Sequence, residues 1–126
     1  MKAREAVVQN YIEGYNQFDI EKMTRDFDVE IEFRNIRAEV ISMELHGIAA
    51  FKEQALAATE YFTERTQTVN SIKHENGAVE FEIAYRGIAA QDLPGGLKKG
   101  EELHLTGTSV FTFNKDNRVI SLTDIS

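Results

Sequence analysis

The chain has no cysteine, a single proline and fewer basic than acidic residues. Without cysteine there is no disulfide, no thiolate metal ligand and no cysteine nucleophile. That absence fits a reducing compartment such as the cytoplasm. The 14 Lys and Arg stand against 21 Asp and Glu, a formal net charge of -7 at pH 7. Such a field repels phosphate backbones and anionic lipid, so neither nucleic acid nor a membrane surface is an expected partner. No run of about five basic residues overrides the average. No uncharged apolar stretch approaches the ~18 residues needed to span a bilayer. Residues 1–5 lead directly into an amphipathic pattern, without the apolar segment of a secretory signal.

What is present fits one globular domain over residues 1–126, long enough for one apolar core. Hydrophobic residues make up 42% and charged residues 28%, the balance of an ordinary folded protein rather than a disordered one. Residues 2–16 read as a helix, with Val7, Val8, Tyr11, Ile12 and Tyr15 on one face. Asp19 is placed to cap a short second helix that would contain Lys22, Met23 and Phe27. Residues 29–35 alternate as a half-buried strand, with Val29, Ile31, Phe33 and Asn35 inward. A second strand spans about 40–45, and His46-Gly47 closes it. An alanine-rich third helix is predicted from about Ile48 to Arg65.

The remainder is strand-like. Residues 66–74 precede Asn76-Gly77, a hairpin signal, and 78–86 follow with Val79, Phe81, Ile83 and Tyr85 on one face. Residues 90–100 hold the proline and three glycines and read as a long loop, a cavity lid or a dimer contact. Residues 103–113 alternate, with Leu103, Leu105, Gly107, Ser109, Phe111 and Phe113 on the apolar side. A turn at 114–117 leads into a last strand, Arg118 to Ile125, with Ile120, Leu122, Asp124 and Ser126 on the cavity side. The order predicts an α+β cone: a curved antiparallel sheet wrapped around three N-terminal helices, with a central cavity.

Tyr11-Ile12-Glu13 with Asp19-Ile20-Glu21, Leu45-His46-Gly47 before the third helix, and Phe113-Asn114 with Arg118-Val119-Ile120-Ser121 carry a resemblance over nearly the whole chain. In that order they resemble the nuclear-transport-factor-2-like superfamily, which includes ketosteroid isomerases and SnoaL-like polyketide cyclases. The isomerase resemblance places its oxyanion tyrosine on Tyr11 and its catalytic aspartate on Asn35. Its second oxyanion donor falls on Ser109, and its supporting tyrosines fall on Phe27 and near Lys52 or Ala55. An amide cannot take the proton, so isomerisation by that mechanism is not expected. The cyclase resemblance places an acidic residue on Asp124, where Leu122 and Thr123 replace the family's usual histidine and tryptophan.

These readings put Asp124 forward as a general base, with Tyr11 and Asn35 polarising a substrate carbonyl. Val7, Tyr15, Phe33, Phe81, Phe111 and Leu122 would form the apolar surround, with Ser109 among the binding groups. A carboxylate in such a cavity has its pKa raised by desolvation. Each residue also has a plainer account. Asp124 stands two residues from the end of the sequence, where acids are often solvated. Tyr11 can be a core aromatic, Asn35 a turn former, and Ser109 a hydroxyl bonded to backbone. His46, His74 and His104 lie on separate elements without the spacing of a helical zinc motif, and Gly95-Gly96 opens no helix. No metal or cofactor is expected. The function expected is binding of a small, largely apolar molecule, with cyclase- or isomerase-like acid–base chemistry. The alternatives are a ligand binder without turnover and a dimeric association module. A neutral stripe of Thr106, Thr108, Val110 and Thr112 predicts a homodimer.

Overall fold

Apolar stretches and turn formers resolve, in the computed structural model, into three helices and six strands among the described residues, 2–126. Helix α1 is Lys2–Asn16 and helix α2 is Ile20–Thr24. Strand β1 is Phe27–Arg37, β2 is Val40–His46, and helix α3 is Ile48–Ala58. Strands β3 (Phe62–Glu75), β4 (Ala78–Ala89), β5 (Glu102–Phe113) and β6 (Val119–Ile125) complete the chain. One curved, unclosed sheet runs β2-β1-β6-β5-β4-β3. Its β1–β6 pairing is parallel, and the other pairings are antiparallel. The final strand therefore lies between the first hairpin and the long strands, in the middle of the sheet.

The core lies between the helices and the concave face. Val8, Tyr11 and Ile12 from α1 meet Phe27, Ile31, Phe51, Phe81, Phe111 and Leu122. Tyr11 stacks on Phe27 at 5.7 Å between ring centroids and meets Phe111 edge-on at 5.4 Å. Phe51 meets both Phe27 and Phe33 edge-on, at 5.0 and 5.5 Å. Such pairs add about 0.5–1.5 kcal/mol each beyond burial alone. Arg4 ties the start of α1 to two turns of the sheet. Its Nε donates to Asn117 Oδ1 at 2.9 Å and its Nη1 to the Gly77 carbonyl at 2.9 Å.

Four expectations are corrected. Phe27 does not belong to α2: the helix stops at Thr24 and Phe27 opens β1, fully buried. Helix α3 ends at Ala58, not Arg65, because the aromatic and β-branched residues from Phe62 onward pair with the end of β4, Phe62 opposite Ala89. Val29 points outward, 65% exposed. Between Phe27 and Glu32 the strand advances five positions while β6 advances from Val119 to Ser121, so the intervening residues leave the regular alternation. Ile120 also turns outward, because β5 steps from Thr112 to Phe113 while β6 steps from Ser121 to Val119. That bulge makes Val119 the buried residue instead.

Gly14 shows how tightly the helices sit. A Cβ there would stand 2.7 Å from the Met23 backbone nitrogen and 3.1 Å from the Asp19 carbonyl oxygen. These are backbone atoms of the α2 segment and cannot swing aside. Gly14→Ala should therefore destabilise the fold by about 1–3 kcal/mol, although alanine favours a helix intrinsically. Urea unfolding measures this; a variant as stable as the parent would show that α2 shifts freely against α1.

Candidate active site

Three strands set the polar floor of the site. Asn35 of β1 pairs in register with Asp124 of β6, which pairs with Ser109 of β5. Residues in one such row share a face of the sheet. Here that face looks toward the helices. The Ser109 hydroxyl donates to Asp124 Oδ1 at 2.7 Å. Asn35 is held by Ser42: its Nδ2 donates to Ser42 Oγ at 2.8 Å, and that hydroxyl donates to the Asn35 carbonyl oxygen at 3.1 Å.

The end of β6 is tied down rather than frayed. The Ser126 amide donates to the Ile36 carbonyl at 2.9 Å, and the Ala38 amide donates to Ser126 at 3.2 Å. Gly107 allows this closeness, since a Cβ there would lie 2.9 Å from the Ile125 carbonyl oxygen. Asp124 is thereby fixed beneath the helices.

Above this floor lies a cavity of about 200 Å³. Tyr11 and Tyr15 of α1, Phe33 and Asn35 of β1, Asp124 of β6, and Phe51 and Gln54 of α3 are among its lining residues. A second lobe of about 200 Å³ opens toward Gln67, Tyr85, Ser109 and Ser126. Tyr15, Asn35 and Asp124 line both lobes. The first lobe is walled mainly by aromatic and aliphatic side chains, with polar groups at its base.

Placement differs among the residues singled out from sequence. Tyr11, Tyr15, Phe33, Asn35 and Asp124 line the first lobe, and Ser109 lines the second. Phe81, Phe111 and Leu122 do not line the first lobe; they are packed beneath it, at most 1% exposed. Val7 likewise packs against the core. Arg65 is a site residue that the sequence does not reveal, because the helix expected from Ile48 runs on to it. In β3 it turns inward and is only 4% exposed. The signal available was the strand-forming sequence from Phe62 to Thr68, in which Arg65 falls two positions from Gln67, another cavity residue.

Electrostatics separate the roles of these groups. Burial pushes the Asp124 carboxyl up to about 6 from its ordinary 3.8, against the opposing hydrogen bond from Ser109. Burial, then the Asp124 and Tyr15 charges, raise the Tyr11 hydroxyl well above 10, while Arg65 acts in the opposite direction. Burial likewise raises Tyr15, with lowering contributions from the Tyr85 hydrogen bond and Arg65. At neutral pH the site holds neutral hydroxyl donors beside a carboxyl that can both give and take a proton.

Among the described residues no group of three His, Cys, Asp or Glu is arranged to hold a metal. Each histidine faces an acidic side chain instead: His46 meets Glu30, His74 meets Glu5, and His104 meets Glu102. No helix among them is long and apolar enough to cross a membrane.

Three helices on a curved sheet, with a polar-floored cavity between them, make the cone fold seen in nuclear-transport-factor-2-like proteins. The chain belongs to the SnoaL-like domain family, whose profile matches residues 8–122. Solved structures share the fold at low identity. A candidate polyketide cyclase from Xanthomonas campestris aligns at a TM-score of 0.83 and 16% identity, over 99% of this chain and 90% of the other. A nuclear-transport-factor-2-like protein of unknown function from Exiguobacterium aligns at 0.74 and 17%, over 94% and 95%. A candidate SnoaL-like polyketide cyclase from Jannaschia aligns at 0.80 and 13%, over 96% and 83%. No curated protein matches at the sequence level.

Proposed function

We propose that the chain binds a small, largely apolar carbonyl compound in the cone and performs acid–base chemistry on it, of cyclase or isomerase-like type. The observation that carries this reading is Asp124: a carboxyl at the base of an apolar cavity, with a pKa pushed up to about 6. Such a group is ionised at neutral pH yet basic enough to attack an activated C–H bond. Asp124 takes a proton from the carbon beside the ligand carbonyl. The C–H electron pair becomes the enolate C=C bond, and the carbonyl oxygen gains the negative charge. Tyr11 donates its hydroxyl hydrogen to that oxygen, and an Asn35 amide hydrogen adds to it. Where a C=C adjoins that carbon, the enolate is a dienolate, and the proton returns from Asp124 to the far end of that C=C as the double bond moves into conjugation with the carbonyl, which is isomerisation. In the cyclase case the enolate carbon bonds to a second carbonyl carbon, whose oxygen receives the proton.

The open cavity favours this reading over an association module, for which Tyr15, Phe33 and Phe62 would fill the cone. The family and the candidate cyclases sharing the fold support it in kind. A binder without turnover is the second reading, supported by the amide at Asn35 where an isomerase carries its base. Deuterium exchange separates the two. Small β-dicarbonyl compounds incubated with the protein in D₂O should exchange the hydrogen beside the carbonyl, and Asp124→Asn should abolish that exchange. Binding with no exchange above background would leave the binder alone.

The working unit in this proposal is a cytoplasmic homodimer. Thr106 is exposed on β5, and Thr108, Val110 and Thr112 are half-buried on the same outward face. Thr123 and Ser121 extend the neutral stripe across β6, opposite Val110 and Thr112. Uncharged β-branched surface is buried at low desolvation cost. Sedimentation at micromolar concentration should show a dimer, and Val110→Arg should yield monomer with the same circular dichroism. A monomeric parent protein would remove the dimer from the proposal.

A further inference from the structure

Arg65 is the most unusual charge in the molecule. It lies near the start of the sheet's edge strand β3, yet it is 4% exposed and lines the first lobe of the cavity. A guanidinium stays protonated in essentially any protein environment, so it cannot escape burial by losing its proton. Its stem is well held. Nε donates to the Tyr15 carbonyl at 2.9 Å, and the guanidinium lies 3.8 Å over the Tyr15 ring and 4.4 Å over the Phe18 ring. These contacts fix the plane of the fork but do not neutralise it. Nη2 is buried and has no hydrogen-bond partner within the protein. Among the described residues no carboxylate forms an ion pair with it.

Asp124 would be the obvious counter-charge, since both residues line the same lobe. It does not serve as one. It accepts its hydrogen bond from Ser109, and both Arg65 and Asp124 act electrostatically on Tyr11 and Tyr15. The tyrosines therefore lie within the influence of both charges, while the charges themselves are not joined. A buried unpaired cation is costly, and native folds retain one mainly where something else completes it.

Resting on the proposed function above, we infer that the cone's ligand is an organic acid whose carboxylate seats on the Arg65 guanidinium, with the reacting carbon directed toward Asp124. A planar fork with free N–H groups matches a carboxylate, and charge-assisted hydrogen bonds in a dry site are the strong ones. The two ring contacts leave the fork rigid, so little entropy is lost on binding. The protein as a whole, at a net charge of -7, repels anions, so an acid is held by a local cation rather than by the overall field. Asp124 and Arg65 then divide the ligand between them: one end is anchored and the other is chemically addressed. A lobe of about 200 Å³ limits the acid to roughly the size of a substituted benzoate or cinnamate.

The test compares matched acids and neutral analogues by NMR titration of the full chain: cinnamate against methyl cinnamate, and benzoate against benzamide. The acids should bind at least about tenfold more tightly than their neutral partners and shift the Arg65 side-chain N–H resonances. Arg65→Gln should reduce that preference to less than about twofold, and Arg65→Lys should restore part of it. Asp124→Asn removes a negative charge from the same lobe and should raise the preference. Equal affinity for acid and neutral analogue in the unmodified protein overturns the inference, and so does a preference that survives Arg65→Gln. Both of those results leave a ligand-binding cone standing. If no member of either series shifts Tyr15 or Phe33, the inference and the binding reading fall together. The parent comparison needs no variant, so a folding defect in Arg65→Gln cannot obscure it.

Discussion

Asp124→Asn should make the fold more stable at pH 7, by about 3 kcal/mol, while removing the base. The carboxyl is pushed from 3.8 to about 6 in the folded protein, close to two pKa units at about 1.4 kcal/mol each. The sign follows from proton binding. Between about pH 4 and pH 6 the folded state holds a proton that the unfolded chain has released, so raising the pH favours unfolding. The parent protein loses this contribution progressively through that window and stays at the lower level above it. Asparagine is uncharged throughout and can still accept the Ser109 hydrogen bond. The stability difference between variant and parent should therefore be near zero below pH 4 and reach its full value by pH 7. Urea unfolding of both proteins at four pH values checks this, because the other acidic groups cancel in the difference. A variant no more stable than the parent at pH 7 would show that Asp124 is well solvated, and the proposed base would lose its physical basis. A stabilising substitution that abolishes proton exchange is the expected mark of a group kept for function at the expense of stability.

Helix α1 was readable because its apolar spacing matches the helical period, and the Asn76-Gly77 hairpin because both residues take positive φ, 50° and 80°. Alternation also placed Phe33, Asn35, Ser109 and Asp124 on inward faces. It could not bring Asn35, Asp124 and Ser109 into one row, since adjacency depends on β6 inserting between β1 and β5. That insertion is a property of long-range pairing, not of any local pattern. The same limit explains Val29 and Ile120. A bulge is decided by the partner strand, and one extra residue reverses the faces beyond it. Arg65 was hidden for a different reason. At the end of the expected third helix it carries no signal of burial, and only the Tyr15 carbonyl and the Phe18 ring, about fifty positions away in sequence, make its burial possible.

Asn35→Asp should have the opposite effect to the first substitution, lowering stability at pH 7 by about 2–4 kcal/mol. The new carboxyl would sit beside Asp124 in the parallel register, and both positions line the same cavity. Two carboxylates sharing a poorly hydrated site cannot both ionise readily, so one retains its proton well above the ordinary range. The pair should then titrate in two coupled steps that belong to neither residue alone. With folded pKa values raised above the unfolded ones, the penalty grows as pH rises and shrinks toward pH 4. Asn35 also loses the amide hydrogen that it donates to Ser42 Oγ, although that hydroxyl can turn to donate instead. Thermal unfolding across pH, with carboxyl NMR to resolve the two steps, measures the effect. Activity supplies a second readout. With an amide at position 35 the parent protein should not isomerise a β,γ-unsaturated ketosteroid, whereas the aspartate variant should show a trace of turnover. Robust isomerisation by the parent would mean that Asn35 does not occupy the isomerase base position. An unchanged pH–stability profile in the variant would mean that the two side chains are electrostatically independent, and that the row across β1 and β6 does not act as one site.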